Sequence, residues 1–187
     1  KEGHIELLGL LESIDTKSIS AESSCRIDRL RGEVLSLLGR FDEAEAAFSQ
    51  ARPPAEAAGL KDVIAKYAAS KKILGVCLGM QAIGEVYGGS LTNLDNVFHG
   101  VATPITITDT SDLLYKGLPN SFDIGRYHSW VISNENFPKE LTITSVEENG
   151  QIMSLKHKAH KLYGVQFHPE SILTEHGKEI ITNFLAI

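Results

Sequence analysis

The sequence predicts an α/β fold, and three observations carry the prediction. Beyond about residue 59, apolar runs rich in branched residues alternate with stretches of helical periodicity. One run, 72–76, leads into a helix-forming segment at 81–87. Residues 177–187 carry Ile180, Ile181, Phe184 and Leu185 on one stripe, the pattern of a helix covering a sheet.

Residues 1–58 contain no convincing strand. Ile27, Leu30, Val34, Leu35, Leu37 and Leu38 recur at helical spacing, Gly39-Arg40 interrupts them, and Phe41, Ala44, Ala47, Phe48 and Ala51 resume. Asp42 and Glu43 suit the positive end of the second helix. The pair reads as a helical hairpin. Its Gly32, Gly39, Phe41, Ala44, Phe48 and Ala51 also resemble a single tetratricopeptide repeat, of which a stack needs about three. The prolines of Arg52-Pro53-Pro54 end that helix, since proline lacks the N–H and clashes with the preceding turn. A further helix then runs from Ala55 or Gly59 to about Ala69. Residues 72–76 follow as an apolar strand, and 81–87 as a helix closed by Gly88-Gly89. Strands are expected at 101–108 and 141–146, with a further pair at 151–157 and 162–167 around a polar turn. The expected organisation is a helical segment over 1–58 and an α/β domain over 59–187.

The 187 residues include 18 basic and 24 acidic side chains, a net charge of −6. That balance argues against a nucleic-acid footprint and against a polybasic membrane surface. No apolar run reaches the roughly 18 residues of a membrane span, and Lys1-Glu2-Gly3-His4 does not open a signal peptide. A cytoplasmic globular protein is expected, with no nucleic-acid and no membrane partner. Two cysteines, Cys25 and Cys77, are too few for a disulfide scaffold or a four-cysteine zinc site.

Chemistry concentrates in Gly75-Val76-Cys77-Leu78-Gly79-Met80-Gln81. A cysteine follows an apolar strand, precedes a helix, and has glycine two residues to either side, the arrangement of a nucleophile elbow with sulfur in place of oxygen. A side chain at either flanking position is expected to collide with neighbouring elements in so sharp a turn. The helix that follows directs free N–H groups and positive dipole at the sulfur, which favours thiolate. The Leu78 N–H is placed to bind an oxyanion as sulfur attacks a carbonyl. The alternative is a buried structural cysteine between glycines selected for packing. Cys25 has no such flanks and reads as structural.

A thiolate nucleophile needs a proton carrier. His168 ends the strand-like run Tyr163-Gly164-Val165-Gln166-Phe167, Pro169 stops it, and Glu170 lies two residues on. In an extended backbone His168 and Glu170 project to the same side, so the carboxylate can orient the imidazole; a solvated loop pair is the other reading. His157 and His160, with Lys156, Lys158 and Lys161, read as a solvated hairpin turn. His99 and His128 lie in suggestive loops but make no metal-ligand spacing with His168. His4 and His176 read as surface residues.

The segments 75–81, His99-Gly100, Gly117-Leu118-Pro119, Arg126-Tyr127-His128-Ser129-Trp130 and 164–170 occur in an order and at distances that resemble the class I (triad) glutamine amidotransferases. Within that family they resemble the amidotransferase subunits of anthranilate synthase and aminodeoxychorismate synthase. The resemblance covers residues from about 59 to 187. It implies a flavodoxin-like, mostly parallel sheet with helices on both faces and an added antiparallel portion. It also implies that Cys77 attacks the amide of L-glutamine, that His168 carries the proton, and that Glu170 orients His168. Gln81 matches a position that contacts glutamine, and Ser129 and Trp130 match the segment whose backbone holds its amino-acid end. The implied partner is a chorismate-binding synthase subunit, the only place where Mg²⁺ is expected; this chain is expected to carry no metal or cofactor.

Residues 1–58 depart from the family pattern. Family members begin with strands and a Pro-Gly-Pro-Gly loop that supplies a second oxyanion N–H. At the corresponding place stands Ser49-Gln50-Ala51-Arg52-Pro53-Pro54, whose prolines have no N–H to donate. Loss of one such donor costs about 10²–10³ in turnover. The segment is a replacement, a chimeric piece or a misassigned stretch. The corresponding readings of function are a glutaminase of the tryptophan or folate branch, a catalytically impaired binding module, or another Cys-His hydrolase.

Overall fold

The computed structural model describes Ile5, residues 10–13 and residues 54–187, with side chains in the last span from Gly59 onward. The expected helical hairpin, Cys25 and Ala51-Arg52-Pro53 lie outside the described residues. The chain divides into two units, 1–59 and 60–187; the fold below concerns the second and the helix that enters it.

Helix α1 (Pro54–Tyr67) opens on a proline, which is tolerated in a first turn where the N–H has no partner in any case. Strand β1 (Ile73–Val76) runs into α2 (Leu78–Val86) through Cys77 alone. The helix therefore begins three residues earlier than expected. Short β2 (Leu91–Asn93) and long β3 (Val101–Ile107) follow, then a 3₁₀ turn at Leu113–Tyr115. The remaining elements are β4 (Ser121–Arg126), β5 (Trp130–Ile132), β6 (Leu141–Glu147), β7 (Ile152–His157), β8 (Leu162–Val165) and α3 (Gly177–Ala186).

Six strands form a mixed sheet in the order β1-β8-β7-β6-β3-β4, and β2 pairs with β5 separately. The pair β1–β8 is parallel, and the other four pairings of the large sheet are antiparallel. The α/β class and its added antiparallel portion are as expected; among the described residues the parallel part is that one pair. Alternation along the strands sends side chains to two cores. Leu162, Ile152 and Leu155 pack with Ile64 of α1, Ala68 just past its end, and Met80, Ala82 and Ile83 of α2. Tyr163, Val165 and Met153 pack with Ile180 and Phe184 of α3. Helices thus cover both faces, as a sheet with two apolar faces requires. No described helix is long and apolar enough to cross a membrane.

Candidate active site

Parallel pairing of β1 with β8 determines where the candidate residues meet. Val76 is in register with Val165, and the Cys77 N–H donates to the Val165 carbonyl at 2.8 Å. The carboxyl ends of both strands therefore open at one place, where ligands of open α/β sheets commonly bind. Cys77 leaves β1 there, and Gln166, Phe167 and His168 leave β8.

Cys77 has φ +51° and ψ −105°, a strained conformation for a residue with a Cβ. Gly75 makes the turn sterically feasible: a Cβ there would lie 2.6 Å from the carbonyl carbon of Gly79 and 2.7 Å from the Ile83 side chain. The matching expectation for Gly79 is not met, since a Cβ there meets nothing within 4 Å. Gly79 instead presents the backbone that approaches Gly75.

The sulfur differs from expectation in its protonation. Burial raises the Cys77 thiol to about 11, and the Glu170 charge adds to the rise. The Leu78 N–H and the Gln166 amide, both bonded to the sulfur, offset only part of it. The helix N-terminus does favour thiolate, but desolvation is the larger effect, so the thiol is neutral near pH 7. Gln166 Nε2 donates to Sγ at 3.6 Å.

His168 and Glu170 are brought together. Nδ1 lies 2.7 Å from Glu170 Oε1. Burial pulls the carboxyl upward, but the His168 hydrogen bond, a backbone N–H and the imidazole charge together leave it below its ordinary range. An ionised carboxylate only accepts, so Nδ1 donates and Nε2 is the nitrogen that can take a proton. Strand β8 has already ended at Val165, and His168–Glu170 lies on a turn. The pair meets through that turn, with no extended strand. The Tyr127 ring stands edge-on to the imidazole at 5.2 Å, and its hydroxyl lies 3.0 Å from Ser171 Oγ. The turn packs closely against α3: a Cβ on Gly177 would come within 2.0 Å of the Pro169 carbonyl oxygen.

The expected substrate-holding residues form a second buried group. Gln81 Nε2 donates to the Trp130 carbonyl at 2.8 Å and to Gln166 Oε1 at 3.2 Å. Ser129 is buried, and its carbonyl accepts the Leu94 N–H at 2.7 Å. His128, which sequence reasoning set aside, is central here. Arg126 Nε donates to its Nε2 at 3.2 Å, so its Nδ1 carries the proton and donates to the Trp130 carbonyl at 3.1 Å. Burial, with the Arg126 charge behind it, lowers His128 to about 3 and keeps it neutral. Arg126 is 1% exposed, stacks on Phe98 at 3.4 Å, and reaches Gln151 and Glu147 with its other nitrogens.

Gln166, Arg126 and His128 fall within the recognisable motifs, yet for Arg126 and His128 nothing in the local pattern marks them as buried neighbours of the site. A polar residue in an apolar run, as Gln166 is between Val165 and Phe167, was the available signal. His176 is half-buried with its ring edge-on to Phe122, not a free surface residue. His157 and His160 do lie at the β7–β8 turn, with rings stacked at 4.3 Å. Among the described residues no group of three or more His, Cys, Asp or Glu side chains is arranged to hold a metal ion.

The chain has known relatives. The family profile described as glutamine amidotransferase class-I matches residues 51–187. A Haemophilus influenzae protein assigned as anthranilate synthase component II is 44% identical over 128 residues, 68% of this chain and 66% of that protein. Aminodeoxychorismate synthase component 2 of Escherichia coli is 42% identical over 132 residues, 71% of this chain and 70% of that protein. The match to the Thermotoga maritima bifunctional protein TrpGD covers 89% of this chain but 28% of that one, at 37% identity. The chain therefore spans 66–70% of the length of the first two relatives and 28% of the third. The crystal structure of a Thermoplasma acidophilum protein assigned to GMP synthase superposes with TM-score 0.64 at 26% identity, covering 72% of this chain and 64% of that one.

Proposed function

Because the chain belongs to the class-I glutamine amidotransferase family, we propose that it hydrolyses L-glutamine at Cys77 and passes the ammonia to a chorismate-binding synthase subunit. The observation that supports this reading is that Cys77 and the segment leading to the His168–Glu170 pair leave adjacent parallel strands at their carboxyl ends, near enough for the Glu170 charge to act on the thiol. His168 Nε2 takes the thiol proton as Sγ attacks the amide carbon, and the Leu78 N–H faces the developing oxyanion. Collapse breaks the C–N bond, and His168 returns the proton to the leaving nitrogen, releasing ammonia. Water then attacks the thioester with His168 as base, which frees glutamate and restores the thiol. Glu170 keeps Nδ1 protonated and steadies the imidazolium. The Ser129–Trp130 backbone, tied down by Gln81 and His128, holds the amino-acid end of glutamine. No metal takes part in these steps; Mg²⁺ belongs to the synthase partner.

Ammonia release from glutamine, measured on the full chain with and without the anthranilate synthase partner, tests the reading. Cys77→Ser is expected to abolish the partner-dependent rate, and equal rates in the two proteins would overturn the cysteine mechanism. Replacing that partner with the aminodeoxychorismate synthase subunit separates the tryptophan branch, which we favour, from the folate branch. The prolines of Arg52-Pro53-Pro54, which stand where the family has its second oxyanion donor, support a second reading, a catalytically impaired binding module. It predicts that a glutamine-analogue electrophile leaves Cys77 unlabelled even in the complex.

A further inference from the structure

We propose that Thr174 is a positioning residue for the His168–Glu170 pair, locking the backbone of His168 onto the outer edge of β4. The proposal rests on the reading that His168 carries the proton in glutamine hydrolysis. Among the described residues, strand β4 ends the six-stranded sheet. The outward backbone groups of an edge strand need partners, and here the segment that carries His168 supplies them. The His168 N–H donates to the Gly125 carbonyl at 3.2 Å. The Gly125 N–H donates to Thr174 Oγ1 at 3.0 Å, and the Thr174 hydroxyl donates to the His168 carbonyl at 2.6 Å. These three bonds close a ring in which both backbone groups of His168 are held. One residue further on, the Glu175 N–H donates to the Asp123 carbonyl at 2.9 Å, and the Asp123 N–H donates to Glu175 Oε2 at 3.1 Å.

His168 lies past the last residue of β8, so no strand ladder fixes it. The Thr174 hydroxyl does so instead. It is 7% exposed, and both its donor and an acceptor position are used. Glu170 and Tyr127 orient the ring, but only on a backbone already in place. Thr174→Val keeps the side-chain shape, removes both bonds, and leaves a Gly125 N–H and a His168 carbonyl to find other partners. Misplacement of a reacting group by about 1 Å costs on the order of 10²-fold in rate.

The test compares Thr174→Val and Thr174→Ser in the full chain with the synthase partner present. Thr174→Val is expected to lower kcat about 10- to 100-fold while KM for glutamine changes less than about twofold, because the Trp130 segment is untouched. Thr174→Ser, which keeps the hydroxyl, is expected to restore kcat. Independently of turnover, the Nδ1–H proton of His168 in the ¹⁵N-histidine-labelled full chain should be sharp in the parent and in Thr174→Ser, and lost in Thr174→Val. A valine variant with normal kcat, a serine variant as impaired as valine, a parallel change in kcat and KM, or an unchanged imidazole signal would each overturn the proposal. If the valine variant does not fold, Thr174→Ala removes the same hydroxyl and is read in the same way. A parent chain without glutamine hydrolysis defeats the functional reading instead, and the imidazole signal then decides the role of Thr174.

Discussion

Cys77 owes its position to backbone sterics and its protonation to burial, and the two pull in different directions. The elbow places Sγ at the carboxyl ends of β1 and β8, beside the Gln166 amide, where the Leu78 N–H favours negative charge. Desolvation outweighs that and moves the thiol from 9.0 to about 11. A raised folded value means that the folded chain holds the proton more tightly than the unfolded chain. The resulting stability is complete below about pH 9 and is lost as pH climbs through about 11. In the free protein, alkylation of Cys77 followed by peptide mass spectrometry is therefore expected to rise about tenfold per pH unit from pH 8 to 10. A plateau near pH 8 would mean that the thiolate is already formed. The role of His128 is illegible in the sequence for a related reason: its neutral state and tautomer are imposed by Arg126 and Trp130, two neighbours whose orientation no spacing reveals.

At the scale of elements, the turn after β8 is the most constrained segment, pinned to β4 on one side and to α3 on the other. Gly177 marks the second contact. Gly177→Ala would drive a Cβ to 2.0 Å from the Pro169 oxygen, so one backbone must shift. The expected loss is more than about 2 kcal/mol in urea unfolding. Gly59→Ala is the control: a Cβ there meets nothing within 4 Å, so the change should be neutral or stabilising by up to about 1 kcal/mol. Equal effects would mean that the close approach at Gly177 is absent. The same scale separates legible elements from illegible ones. Strands β1, β3, β6, β7 and β8 were readable because each is a run of branched or apolar residues. β2 and β5 have three residues each, too few for a period to emerge. β4 carries Gly125 and Arg126 among its buried positions, and so breaks the alternation that would identify it.

The unit 60–187 is held by two cores on opposite faces of one sheet. Leu155 belongs to the face under α1 and α2, and Ile124 to the face under α3; both are fully buried. Each residue changed to alanine is expected to cost about 2–5 kcal/mol. The two share no core cluster, so the costs should add within about 0.5 kcal/mol. Domains of this kind have about 5–15 kcal/mol in total, so the double variant should be largely unfolded at low urea. A double variant no worse than either single one would show that the faces are coupled. By itself the sequence determined what is local: the strand–cysteine–helix elbow, the helix and strand textures, and the motif order that resembles the amidotransferases. Those follow from side-chain periodicity and backbone sterics within a few residues. Only the tertiary structure decided that β1 and β8 run parallel and adjacent, that Gln166 touches the sulfur, that Arg126 and His128 are buried behind Trp130, and that Thr174 closes on His168. Each of these depends on what lies opposite in space, and burial then determines which charges the site can keep.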